Sequence, residues 1–147
     1  MSIKNWCFGL DELRVASNFN FSWLWVSIGC ALVSLIVYLS LTPGPPKVIE
    51  FAFADKLEHL LAYGILMGWF GQLYLSWKSQ LVWVLAFCLL GVGMEFAQGW
   101  GGHRFFDVAD MAANSLGVLL GWWLGSRWLA GSLLRIDHIL SRWLAKA

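Results

Sequence analysis

Charge is what this sequence has least of. Asp, Glu, Lys and Arg make up 13% of its 147 residues, against 59% for the hydrophobic types. A soluble domain carries roughly 25% charged residues, so an ordinary water-facing surface is excluded and most of the exterior must face lipid. Neither sign dominates. The formal net charge is +1, which leaves no basic stripe for nucleic acid. Cysteine is limited to Cys7, Cys30 and Cys88, an odd count without paired spacing, and this excludes a disulfide framework. Cys30 and Cys88 fall in apolar runs and read as small buried hydrophobes. The three prolines all lie in Thr42-Pro43-Gly44-Pro45-Pro46, which cannot continue a helix and reads as a loop.

What is present is apolar sequence in span-length pieces. A membrane-crossing helix needs about 20 mostly apolar residues. Phe21 to Leu41 has no charged residue. Further spans are expected from about Lys56 to Trp77, Leu81 to Gln98 and Asp107 to Trp128, joined by Lys78-Ser79-Gln80 and by Gly99-Trp100-Gly101-Gly102. Asp11 and Glu12 precede the first run, and no Ala-x-Ala site follows it, so it reads as an uncleaved span. Several of the eleven tryptophans sit at expected helix ends, as interfacial anchors do. The fold class expected is an all-α integral membrane protein: a four-transmembrane-helix bundle over residues 21–128 with short loops, behind a cytoplasmic segment 1–20.

Residues 132–147 differ. Leu133, Ile136, Leu140, Trp143 and Leu144 recur at helical spacing, with Arg135, His138, Arg142 and Lys146 mostly elsewhere. This predicts a basic amphipathic C-terminal helix lying on the inner leaflet, with a helix packed on the bundle as the alternative. Lys4, Arg14, Lys78, Arg127, Arg135, Arg142 and Lys146 fall on one side of the spans, and Lys47, Lys56 and Arg104 on the other. The excess places both termini in the cytoplasm. Gly64 and Gly68 form one GxxxG and Gly117, Gly121 and Gly125 a tandem one. Such stripes let helix backbones approach closely, within one chain or in a homodimer through Gly117, Gly121 and Gly125.

The intramembrane polar groups gather at the outward span ends. Asp55, His59 and Tyr63 stack at i, i+4, i+8, Glu95 neighbours Gln98, and Asp110 precedes Asn114 by four. At about 1.5 Å per residue, Tyr63, Glu95 and Asn114 lie about 20 Å from the inner face and His59, Gln98 and Asp110 about 26 Å. Two layers are expected. Glu95 is the costly residue, since no cation on any span shares its depth, and a buried carboxyl can hold a proton for acid–base work.

The run Asp55-Lys56-x-x-His59-x-x-x-Tyr63, then Glu95-x-x-Gln98, then Arg104-x-x-Asp107-x-x-Asp110-x-x-x-Asn114-x-x-Gly117, resembles the VanZ-like family from about Asp55 to Gly125. Gly102-His103 stands where the family has a proline before the arginine. The resemblance implies a small bacterial inner-membrane protein of the cell envelope and a link to teicoplanin resistance, but no reaction.

Three functions compete. In an enzyme acting on an anionic envelope lipid or lipid-linked cell-wall precursor, His59, Glu95 and Asp110 would be catalytic. Lys56, Arg104, Tyr63, Gln98 and Asn114 would bind substrate, and Asp55 and Asp107 would orient. No Ser, Thr or Cys lies in the outer layers, so water would be the nucleophile. No cofactor is expected. A divalent metal would use His59, Glu95, Asp107 and Asp110 with His103, although HExxH and CxxC spacings are absent. The second function is a non-catalytic module that binds a lipid or a membrane partner. The third is a structural network pinning three helix ends. A channel is excluded, because the inner half of the spans offers no polar path.

Overall fold

The computed structural model describes residues 18–42, 54–101 and 106–146. The expected proline loop, most of segment 1–20, His103 and Arg104 lie outside them. Among the described residues the chain is all-helical: α1 (Ser22–Leu41), α2 (Ala54–Leu73), α3 (Trp77–Trp100), α4 (Val108–Arg127) and α5 (Ser132–Leu144). Two of these, α1 and α3, are long and apolar enough to cross a membrane. The first turns of α2 and α4 carry Asp55, Lys56, Glu58 and Asp110, which dilutes their apolar character.

The turn between α2 and α3 lies at Tyr74 to Ser76, a few residues before the expected Lys78-Ser79-Gln80 link. Ser76 is the reason. It caps α3 by accepting the Ser79 N–H at 3.1 Å, satisfying a donor that has no partner within the helix.

Glycine sets the tightest packing. Leu60, Gly64 and Gly68 of α2 meet Gly117, Gly121 and Gly125 of α4 in the same order, so the two helices run parallel. A Cβ on Gly117 would fall on the Leu60 carbonyl oxygen, and one on Gly121 on that of Gly64. Backbone approach of this kind is what small residues permit between membrane helices. The glycine stripe of α4 is thus used within the chain.

Around that crossing sits the core. Leu66, Met67 and Leu73 of α2 and Val118 of α4 are fully buried. Phe70 packs on Trp83 and Phe87 of α3, with ring centroids 4.4 and 5.0 Å apart. α1 is more loosely joined, with Trp25 and Gly29 its buried residues. Gly29 lets it rest on Phe70 and Trp69, and Trp69 Nε1 donates to the Trp25 carbonyl at 3.1 Å. The outward faces are apolar, as Leu85, Leu89, Leu116, Leu119 and Trp123 show. Cys30, expected inside, is exposed on the outer face of α1, and Cys88 is half-buried.

α5 docks through Leu133 and Asp137, both buried, and leaves Ile136, Ile139, Trp143 and Leu144 exposed. Asp137 is fully buried. Its carboxylate accepts from the Asn20 and Phe21 N–H groups, the Asn20 amide and Trp25 Nε1, at 2.7 to 3.0 Å. It therefore closes the N-terminus of α1, where backbone donors lack helical partners. Burial pushes this carboxyl up, but the Trp25 and Asn20–Phe21 donors outweigh it and hold it below the usual aspartate range. At the start of α5, Gln72 Oε1 accepts from Ser132 Oγ at 2.6 Å and from the Leu133 N–H at 3.0 Å.

Candidate functional site

α2 and α4 begin at the same end of the bundle, so their first turns face each other. Asp107 caps α4 by accepting the Ala109 N–H at 2.8 Å. Lys56 Nζ lies between the helices, 2.5 Å from Asp107 Oδ2, 2.6 Å from Asp110 Oδ1 and 3.5 Å from Asp55 Oδ2. Its charge is thus met inside the chain. His59 turns Nδ1 to Asn114 Oδ1 at 3.0 Å, while Nε2 stands 3.8 Å from Asp55 Oδ1 and from Asp110 Oδ2.

α3 closes the third side. Gly91 makes room for Asn114, whose Cβ would be 2.8 Å from any Cβ at position 91. Glu95, one turn further along, is fully buried, and its Oε2 accepts the Asp107 N–H at 3.3 Å. Tyr63 and Asn114 are each 1% exposed. The Tyr63 hydroxyl and Asn114 Nδ2 have no hydrogen-bond partner among the described residues. Unpaired buried donors are costly, so these two groups are available to a polar ligand or water.

Asp55, Lys56, His59, Asp107, Asp110 and Asn114 therefore form one connected cluster, with Glu95 joined through the Asp107 amide. Gln98 does not join it. Its Nε2 donates to the Ser40 carbonyl of α1 at 2.8 Å, pinning the outer end of that helix. Arg104 lies outside the described residues. The two expected layers interleave, since His59 bonds to Asn114. The depth count set Asn114 level with Tyr63, but the glycine crossing sets Gly117 against Leu60 and Gly121 against Gly64, and this register of α4 on α2 brings Asn114 to the level of His59. The expected metal set also regroups: Asp107 faces Lys56, and the metal-spaced triad is Asp55, His59 and Asp110.

Beside the cluster, α2 and α4 enclose an apolar groove of about 370 Å³. It begins at Leu60 and Leu61, next in sequence to His59, and runs along Ile65, Gly68 and Leu124 to Leu129.

Sequence reasoning missed the opposite end of the bundle. Asp137 closes α1 there, and Gln72 and Gln80 bridge neighbouring helices. Gln80 Nε2 donates to the Gly71 carbonyl and its Oε1 accepts from Trp122 Nε1, both at 2.9 Å. The available signal was Asp137 itself, four residues after Leu133 on the same helix face.

These features define a small helical protein with an apolar exterior and a buried polar cluster at one end. The description VanZ/LLP1 belongs to a family whose profile matches residues 15–130, and this chain is a member of it. Membership together with the apolar α1 and α3 marks a membrane protein. No curated protein and no solved structure gives a match.

Proposed function

We propose that this VanZ-like protein crosses the bacterial inner membrane four times, through α1 to α4, and binds an envelope lipid or lipid-linked cell-wall precursor. The polar cluster faces outward and receives the headgroup. The adjoining groove between α2 and α4 receives a hydrocarbon chain. Both termini are cytoplasmic, and α5 lies on the inner leaflet with Ile136, Ile139 and Trp143 toward lipid and Arg135, Arg142 and Lys146 toward anionic headgroups.

The observation that carries this reading is that the groove between α2 and α4 begins at Leu60, one residue past His59 of the polar cluster. Ligand sites combine a mostly apolar lining of roughly 300–1,000 Å³ with a few placed polar groups, and the groove falls in that range. A charged group within a membrane segment marks a site by default. Where the bound lipid reacts, His59 acts as general acid or base, held by Asn114, with Asp110 and Glu95 as further proton carriers. Water is then the attacking group.

One observation favours a structural network instead. Lys56 is already paired with Asp107 and Asp110, so it pins α2 to α4. His59→Gln and Glu95→Gln separate the readings, because both keep hydrogen-bonding capacity and remove the titrating group. Lipid retained through purification is measured by native mass spectrometry beside the melting temperature. A glycopeptide-susceptibility assay in a sensitive host follows the family's link to teicoplanin. The lipid-site reading expects folded variants that lose lipid or phenotype. Variants that melt far below wild type, and lose function only in proportion to protein, establish the structural network.

A further inference from the structure

Asp55 and Asp110 are each used on two sides. Each turns one oxygen to Lys56 Nζ, at 3.5 and 2.6 Å, and the other to His59 Nε2, at 3.8 Å in both cases. The Lys56 ammonium fills one of the two spaces so defined. In the other, Asp55 Oδ1, Asp110 Oδ2 and His59 Nε2 all lie within 4.8 Å of one another.

The imidazole is set for that second space. With Asn114 Oδ1 as acceptor at 3.0 Å, Nδ1 is the donor, and the neutral ring then has its lone pair on Nε2. A gap of 3.8 Å is too long for a hydrogen bond, and Nε2 makes none among the described residues. The side chains of His59 and Asp110 are 10% and 7% exposed, so bulk water gives little relief to these two acceptors, which converge with Asp55 Oδ1. Such a convergence is stabilised by a cation. Histidines that bind metals characteristically donate their other ring N–H to a fixed partner. Asn114, buried and wedged against Gly91, is a partner of that kind.

We propose that Asp55 Oδ1, Asp110 Oδ2 and His59 Nε2 bind one divalent cation of the class that accepts mixed nitrogen and oxygen ligands, Zn²⁺ or Mn²⁺. Bonds of about 2.1 Å place neighbouring ligands roughly 3 to 3.5 Å apart, so each 3.8 Å gap to His59 Nε2 closes by less than about 1 Å and the two carboxylate oxygens by less than about 2 Å when loaded. Asp55, nearly half exposed on its side chain, supplies that movement. Three protein ligands leave coordination positions open, as catalytic sites do. Lys56 keeps the outer oxygens of both aspartates and limits the charge that the ion must meet.

The test uses the full chain in detergent, stripped with a chelator and titrated with Zn²⁺ or Mn²⁺ alone. Metal retained after gel filtration is measured by elemental analysis, and bound Mn²⁺ by its electron paramagnetic resonance signal. About one ion per chain is expected in wild type, with affinity lowered at least about tenfold in His59→Gln and Asp110→Asn. Asp55→Asn changes a half-exposed residue and serves where the other variants fail to fold. A folded wild type that retains no stoichiometric ion overturns the proposal, as do folded variants that bind like wild type. The readout is bound metal and not lipid, so the outcome is independent of the lipid reading.

Discussion

Gly121→Ala tests the α2–α4 crossing on which the site stands. The added Cβ would occupy the position of the Gly64 carbonyl oxygen and crowd the Gly64 Cα at 2.9 Å. Both obstacles are backbone, so no rotamer change relieves them and the helices must separate. Overpacking of this kind costs about 1–3 kcal/mol, and a backbone obstacle belongs at the upper end. Replacing glycine inside a helix returns about 1 kcal/mol, which leaves a net loss of about 2 kcal/mol. Gly68→Ala is the matched control. Its Cβ would lie 3.7 Å from the Gly121 carbonyl oxygen, an ordinary contact, so the helix gain stands unopposed. At about 2–4 °C per kcal/mol, the two variants should separate in melting temperature by on the order of 10 °C, with wild type between them. Thermal unfolding in detergent by circular dichroism reads the difference. A Gly121→Ala protein that melts at or above wild type would refute the close crossing.

Asp137→Ala should free α5, because it strips acceptors from the Asn20 and Phe21 N–H groups, the Asn20 amide and Trp25 Nε1 at once. The expected loss is about 3 kcal/mol or more, read as faster proteolysis after Arg135 and Arg142 and faster amide exchange at Asn20 and Phe21. Unchanged protection would show that α5 is held otherwise. The same carboxyl gives a pH dependence. Its folded-state pKa is depressed, so its contribution is fully present above the unfolded value and is lost as pH falls through the folded one. Docking of α5 should therefore persist from neutrality to pH 5 and weaken only below about pH 4; release near pH 6 would contradict the assignment. For topology, a reporter joined at Ala147 should be active only as a cytoplasmic reporter, and periplasmic activity would reverse the bundle.

The parts of this fold legible in sequence were those written in short-range pattern. The uncharged run from Phe21 to Leu41 located α1 to within a residue, and the helical spacing after Leu133 located the start of α5 at Ser132. That Asp55, His59, Asp110 and Asn114 gather at one end of the bundle followed from i, i+4 spacing and from their place near the span ends. What stayed hidden depended on partners. The direction of Gln98 toward Ser40 depends on where α1 lies, which depth along the bilayer does not specify. The bond from His59 to Asn114 depends on the register of α4 on α2, which the Gly117–Leu60 contact sets and the span boundaries do not give. The role of Asp137 required the chain entry into α1 to lie beneath α5, and nothing near Asn20 announces that.

The Asp137 clamp also orders events at the ribosome. Its acceptor lies 117 residues beyond the Asn20 donor, so α1 leaves the exit tunnel long before the group that closes it. α2, α3 and α4 can assemble by contacts of shorter range, while α1 stays loosely attached until α5 has emerged. Contacts of such separation form late because a long loop must close first. A chain broken off before α5 would keep its polar cluster but leave Trp25 and the head of α1 without their acceptor. Quality-control proteases would meet that exposed helix, so the clamp also shields α1 once α5 is in place.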